Sequence, residues 1–104
     1  MLFQVIMSHS EDNCPAYHRE KMPETLEAFK NLEALGEKLS VKQHNFVWCP
    51  PNHTAYLLLE SDSLSSVSQY IFSIPFPHDT QIIPVEHLHE TVAMAKAMME
   101  QSKE

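Results

Sequence analysis

The histidines at positions 9, 53 and 87 and the cysteine at 14 are the side chains of this sequence best suited to hold a transition metal. Neutral imidazole nitrogen and thiolate sulfur are good ligands for zinc, nickel or copper. Their linear spacing does not mark them as a site. There is no C-x-x-C, no H-x-x-x-H on a predicted helix and no calcium-loop pattern. Any site has to be assembled by the fold. One local clue exists: Cys49 and His53 flank the turn Pro50-Pro51-Asn52 and so deliver two donors to a single corner.

Other residues carry alternative chemistry. Glu60 ends an apolar run and either caps the helix that follows or, facing a cavity, serves as a general base with a raised pKa. With His44, Trp48 and Tyr56 it makes the candidate catalytic set of an enzyme acting on a small apolar substrate. The same aromatic residues at strand spacing also suit a core or a dimer interface. Cys14, in a loop before a helix and near histidines, has the setting of an activated thiol, but no oxyanion site or third partner accompanies it. Met94, Met98 and Met99 read as a flexible apolar helix face, not a copper box.

The elements that must position these residues are legible in the hydrophobic pattern. Leu2–Ser8 alternates as a strand, with Phe3, Val5 and Met7 on one face and His9 next in line on it. Residues 10–21 form a long polar loop, a length that favours a functional role. A helix over 23–35 has Pro23 in its first turn, an apolar stripe of Leu26, Phe29, Leu32 and Leu35, and Gly36 where a C-terminal cap belongs. Residues 41–49 and 53–60 make a hairpin rich in aromatic and aliphatic residues. A short helix over 63–72 presents Leu64, Val67 and Ile71. Residues 80–85 form a fourth strand that Pro84 restricts to a sheet edge. Residues 86–101 form a last helix, with Leu88, Val92, Ala95 and Met99 as its inner stripe.

The order β-α-β-β-α-β plus a terminal helix is the ferredoxin-like, α+β arrangement, with an antiparallel sheet in the order 4-1-3-2. Right-handed crossovers put both main helices on one face. If Leu2 pairs near Glu60, His9 falls beside His53 on the same face of the sheet. The reading places Cys14, His18, Cys49, His87 and His89 on that rim, and His44 and His78 toward the opposite half. The expected metal ligands are therefore His9 and His53, completed by Cys14 or His87.

With Ser8-His9-Ser10 and Cys14-Pro15, Pro51-Asn52-His53-Thr54, Leu59-Glu60 and Ile83-Pro84-Val85, the chain resembles a small uncharacterised prokaryotic family of the dimeric α/β-barrel superfamily. It is similar, more distantly, to the small nickel-binding proteins of that fold. The resemblance covers nearly the whole chain by element order and implies two sheets packed face to face in a homodimer. The superfamily includes haem-degrading monooxygenases, lactone isomerases, stress-response proteins and metal binders, and fold alone does not choose among them.

Bulk properties narrow the partners. The 104 residues suit one domain, 1–104, and the 43% apolar and 20% charged content suits a globular one. A net charge of −7 without any Lys/Arg cluster argues against nucleic acid and against an anionic membrane. The apolar run at residues 1–7 is too short for a signal or a span, and two cysteines make no disulfide framework, so the expected compartment is cytoplasmic. Three short helices cannot cover both faces of one sheet, which points to self-association. The sequence thus reads as a cytoplasmic homodimer that binds a divalent ion (Ni, Zn or Cu) for metal handling or sensing. A small-molecule enzyme with an apolar ligand and a non-catalytic interaction module are the alternatives.

Overall fold

The computed structural model describes residues 1–102. Four strands, β1 (Leu2–Ser8), β2 (Lys42–Cys49), β3 (Thr54–Glu60) and β4 (Asp79–Val85), form one antiparallel sheet in the order β2-β3-β1-β4. This is the ferredoxin-like α+β order expected from the sequence, with Pro84 on an edge strand where its missing N–H breaks no ladder. Four helices accompany it: α1 (Met22–Lys30), α2 (Leu32–Leu39), α3 (Leu64–Phe72) and α4 (Leu88–Ser102). Among the described residues no helix is long and apolar enough to cross a membrane.

Strand alternation divides the sheet into two unlike faces. Phe3, Val5 and Met7 of β1 and Ala55, Leu57 and Leu59 of β3 are buried on one side, where Leu32, Val67, Tyr70 and Ile71 from the helices close the core. Tyr70 is buried whole, and its hydroxyl donates to Gln43 Oε1 at 2.6 Å, so the phenol carries no unpaired polar atom into the core. Among the described residues no layer lies over the opposite face. There Tyr56 pairs with both Ile6 and Val47, and Ile83 lies across Gln4 from Leu58. Val47 and Tyr56 are exposed.

The helices depart from the sequence pattern in two ways. The stretch read as one helix over 23–35 is two, joined at the turn residue Asn31, at φ −91°, ψ −2° on the margin of the helical region. The predicted stripe splits accordingly: Leu32 is buried and Leu26 is exposed. Gly36 does not cap anything. It lies inside α2, and the cap is Ser40, in the left-handed region at φ 59°. Gly36 is required for closeness: a Cβ there would stand 2.7 Å from the Val41 carbonyl oxygen and 3.4 Å from the Tyr70 ring.

The second departure is α4. Its expected inner stripe is exposed, and no residue of the helix is buried. The helix projects from the sheet, and the molecule measures 66 × 30 × 18 Å.

Gly36→Ala should destabilise the protein by up to about 2 kcal/mol: forcing volume into a packed site costs about 1–3 kcal/mol, and alanine gains ~1 kcal/mol over glycine in a helix interior. Urea denaturation checks the sign. A variant as stable as the parent would mean that the α2–Val41 approach is loose.

Candidate metal centre at the β1–β3 rim

The register Leu2↔Glu60 through Ser8↔Thr54 brings the residues just beyond each strand, His9 and His53, side by side. The His9 N–H donates to the His53 carbonyl at 3.1 Å, one rung past the ladder. Alternation carries the His9 side chain onto the helix-covered face with Met7. Its ring lies edge-on to Trp48, His53 and Phe76, with centroids 5.5, 5.1 and 5.2 Å away.

His9 is only 9% exposed, yet neither ring nitrogen has a hydrogen-bond partner, and His53 Nδ1 is likewise buried and unpaired. An unpaired polar atom in the interior costs about 1–3 kcal/mol. Burial lowers the His9 pKa, with His53 and His78 adding to the effect, which favours the neutral imidazole, a ring with one nitrogen free to ligate and the other an N–H donor.

His53 reaches this position by an uncommon backbone. After the 3-10 turn Pro50–Asn52 it adopts φ 51°, ψ 38°, and its N–H donates to the Pro50 carbonyl at 3.0 Å. The left-handed conformation costs a residue with a Cβ roughly 1–2 kcal/mol.

Cys14 arrives from the loop after β1, which is a chain of 3-10 turns at Glu11–Asn13, Pro15–Tyr17 and Arg19–Lys21. Pro15 bars its predecessor from the helical region, and Cys14 is accordingly extended at φ −66°, ψ 125° between two of these turns. The Cys14 N–H donates to the Glu11 carbonyl, and its own carbonyl accepts from Tyr17.

One ligand atom from each of His9, Cys14 and His53 lies within 4.8 Å of the others. Bonds of about 2.0–2.3 Å in a tetrahedral shell place ligand atoms roughly 3.3–3.8 Å apart, so the group has to close by about 1 Å around an ion. Two neutral imidazoles and a thiolate are a borderline-soft set that suits zinc, copper or nickel and not magnesium or calcium.

His87 does not join them. Strand β4 runs antiparallel to β1, so its start and not its end shares the His9 rim: Ser8 faces Asp79, while Leu2 faces Val85. His87 therefore sits at the far rim, about 20 Å away at ~3.3 Å per residue. There it stacks on His89, with ring centroids 5.3 Å apart.

The same reversal puts His78, expected at the far half, near the site. Phe76 stands between the two imidazoles, and His78 Nδ1 is paired with Thr80 Oγ1 at 2.7 Å. Phe76 and His78 were the residues that pattern reading missed; applying strand direction to the start of β4 locates both. His18 is held within its own loop by the Asp12 carbonyl. Cys49 pairs with Thr54, on the open face of the sheet.

The alternative catalytic set does not converge. Trp48 is opposite Ala55 on the helix face, and Tyr56 is on the open face. His44, thrown outward by a bulge between Gln43 and Asn45, meets Glu60 at 2.8 Å at the far rim. That hydrogen bond lowers the Glu60 pKa, the reverse of what a general base with a raised pKa requires.

No family model matches the chain, and no curated protein matches it. Among solved structures it is similar to a dimeric ferredoxin-like protein from an uncultured marine organism. The identity is 16% and the TM-score 0.40, over 84% of this chain and 95% of that one. A likeness of that degree assigns neither ligand nor assembly.

His9→Phe should raise the stability of the metal-free protein by about 1 kcal/mol, because it replaces an unpaired buried imidazole with a ring that needs no partner. Acid has a defined sign here. With the folded pKa depressed, the His9 contribution is complete above about pH 6.5, the ordinary value, and is lost as pH falls through the folded value, because the unfolded chain takes up the proton first. Thermal melts from pH 7.5 to 5 should fall more steeply for the parent than for His9→Phe; equal slopes would contradict the burial of a neutral His9.

Proposed function

We propose that this chain binds one divalent transition-metal ion per protomer through His9, Cys14 and His53, and that it holds or senses the ion without turnover. The observation that supports this reading is the combination at His9: nine-tenths buried, unpaired at both nitrogens, and beside two further donors. Native interiors rarely leave such groups unsatisfied without a reason. A metal supplies the partner that the protein does not. Zinc, copper(II) and nickel fit the donor set, and thiolate ligation favours zinc and copper.

Titration with cobalt(II) as a spectroscopic stand-in for zinc should give one equivalent bound, with a thiolate-to-metal charge-transfer band from Cys14. His9→Ala, Cys14→Ser and His53→Gly should each weaken binding by about 100-fold or more, beyond what loss of a supporting residue causes. His53→Gly should keep the metal-free fold within about 1 kcal/mol, since glycine tolerates the left-handed backbone. His87→Ala should leave binding within about twofold of the parent. Equal metal content in all four variants would refute the site.

We also propose that two copies associate through the open sheet face. The sheet presents Ile6, Val47, Tyr56, Leu58 and Ile83 on that side, and α4 adds Leu88, Val92, Met98 and Met99 with nothing to rest on. Four strands at ~4.8 Å spacing and seven residues at ~3.3 Å span roughly 440 Å² in projection. A helix of this length adds about 220 Å². Together they approach the ~800 Å² per partner of a standard interface, which the sheet face alone does not. Sedimentation should show a dimer for the parent and a monomer for Val47→Lys combined with Tyr56→Glu. A monomeric parent at micromolar concentration would remove the proposal.

A further inference from the structure

A cavity of about 220 Å³ opens against the three donors. His9, Cys14 and His53 form one wall; Met22, Leu26, Phe29 and Trp48 are half of the other residues lining it. Of the other polar groups lining it, Thr25 donates its hydroxyl to the Lys21 carbonyl at 3.2 Å and is buried, and Trp48 brings an indole N–H. Apart from these and the donors, the wall is apolar.

Two features decide what enters. Among the described residues the donor group has three members, with no fourth His, Cys, Asp or Glu in reach. A tetrahedral ion held by three protein ligands keeps one position open, the arrangement of exchangeable sites as opposed to purely structural ones. A divalent ion with one thiolate and two neutral imidazoles also carries a net single positive charge. Beside apolar walls that charge is costly unless an anion neutralises it.

Resting on the metal reading above, we infer that the fourth ligand is a small exogenous thiol with an apolar tail, bound as thiolate to the ion with its tail among Met22, Leu26, Phe29 and Trp48. A thiolate matches the softness of the ion's other ligands and brings the site to neutrality. Its tail replaces water on the apolar walls. At protein-like packing density the cavity takes fewer than about ten non-hydrogen atoms. The exchange is balanced without redox chemistry. The thiol S–H bond breaks, its proton leaves to solvent, the sulfur–metal bond forms, and a metal-bound water departs.

The test is titration of the cobalt(II)-loaded parent with benzyl mercaptan and, separately, with the hydrophilic thiol thioglycerol, after confirming that neither strips the metal. One equivalent of benzyl mercaptan should add a second thiolate-to-cobalt charge-transfer increment. It should bind at least tenfold more tightly than thioglycerol. Leu26→Trp, and independently Ala16→Phe, should narrow the cavity and abolish that preference while cobalt affinity stays unchanged. Cobalt binding with equal affinity for the two thiols, with no response to either, or with the preference intact in both filled variants would overturn the thiol assignment and leave the metal site standing. No cobalt binding by the parent would overturn both.

Discussion

The pairing of β1 with β3 is the constraint on which everything else rests. Its register, Leu2 opposite Glu60, sets which side chains meet the helices and which face outward. Because side chains alternate, a slip of one residue would turn Phe3, Val5 and Met7 out of the core and carry His9 with them. The same ladder that buries the core therefore also aims the imidazole. Core and candidate site are one structural fact, and neither can shift without the other.

Local costs gather at that rim. His53 holds a left-handed backbone, and His9 is buried among aromatic rings with both nitrogens unpaired. Elsewhere among the described residues buried polar side chains are paired, as Tyr70 is with Gln43 and Thr25 with Lys21. Unpaired buried polarity and a left-handed backbone meet at this rim, whereas the other left-handed residue, Ser40, caps a helix. The apolar cavity beside the rim gives a ligand there somewhere to extend.

The other unfinished part is larger in area and simpler in chemistry. The open face of the sheet and the projecting α4 expose aliphatic and aromatic side chains such as Val47, Tyr56, Ile83 and Leu88. Exposed apolar surface of this extent signals a partner surface. The His9–His53 rim lies on the helix-covered side, the reverse of this open face.

The sequence alone determined the strands, their order and the edge position of Pro84, because alternation of Phe3, Val5 and Met7, turn residues and a missing N–H are local signals. It also placed His9 opposite His53, since an antiparallel register follows from the ends of two predicted strands. Tertiary structure decided the rest. Membership of Cys14 depends on a loop of 3-10 turns that no periodicity encodes. Exclusion of His87 and the nearness of His78 depend on the direction of β4, a property of the whole sheet and not of any segment. Gly36 looked like a cap because helix ends favour glycine, but its reason is the Val41 carbonyl, a neighbour five residues on that only folding brings within 2.7 Å of a Cβ. Periodicity in α4 promised an inner face; whether anything lies against that face is settled by packing, and among the described residues nothing buries it.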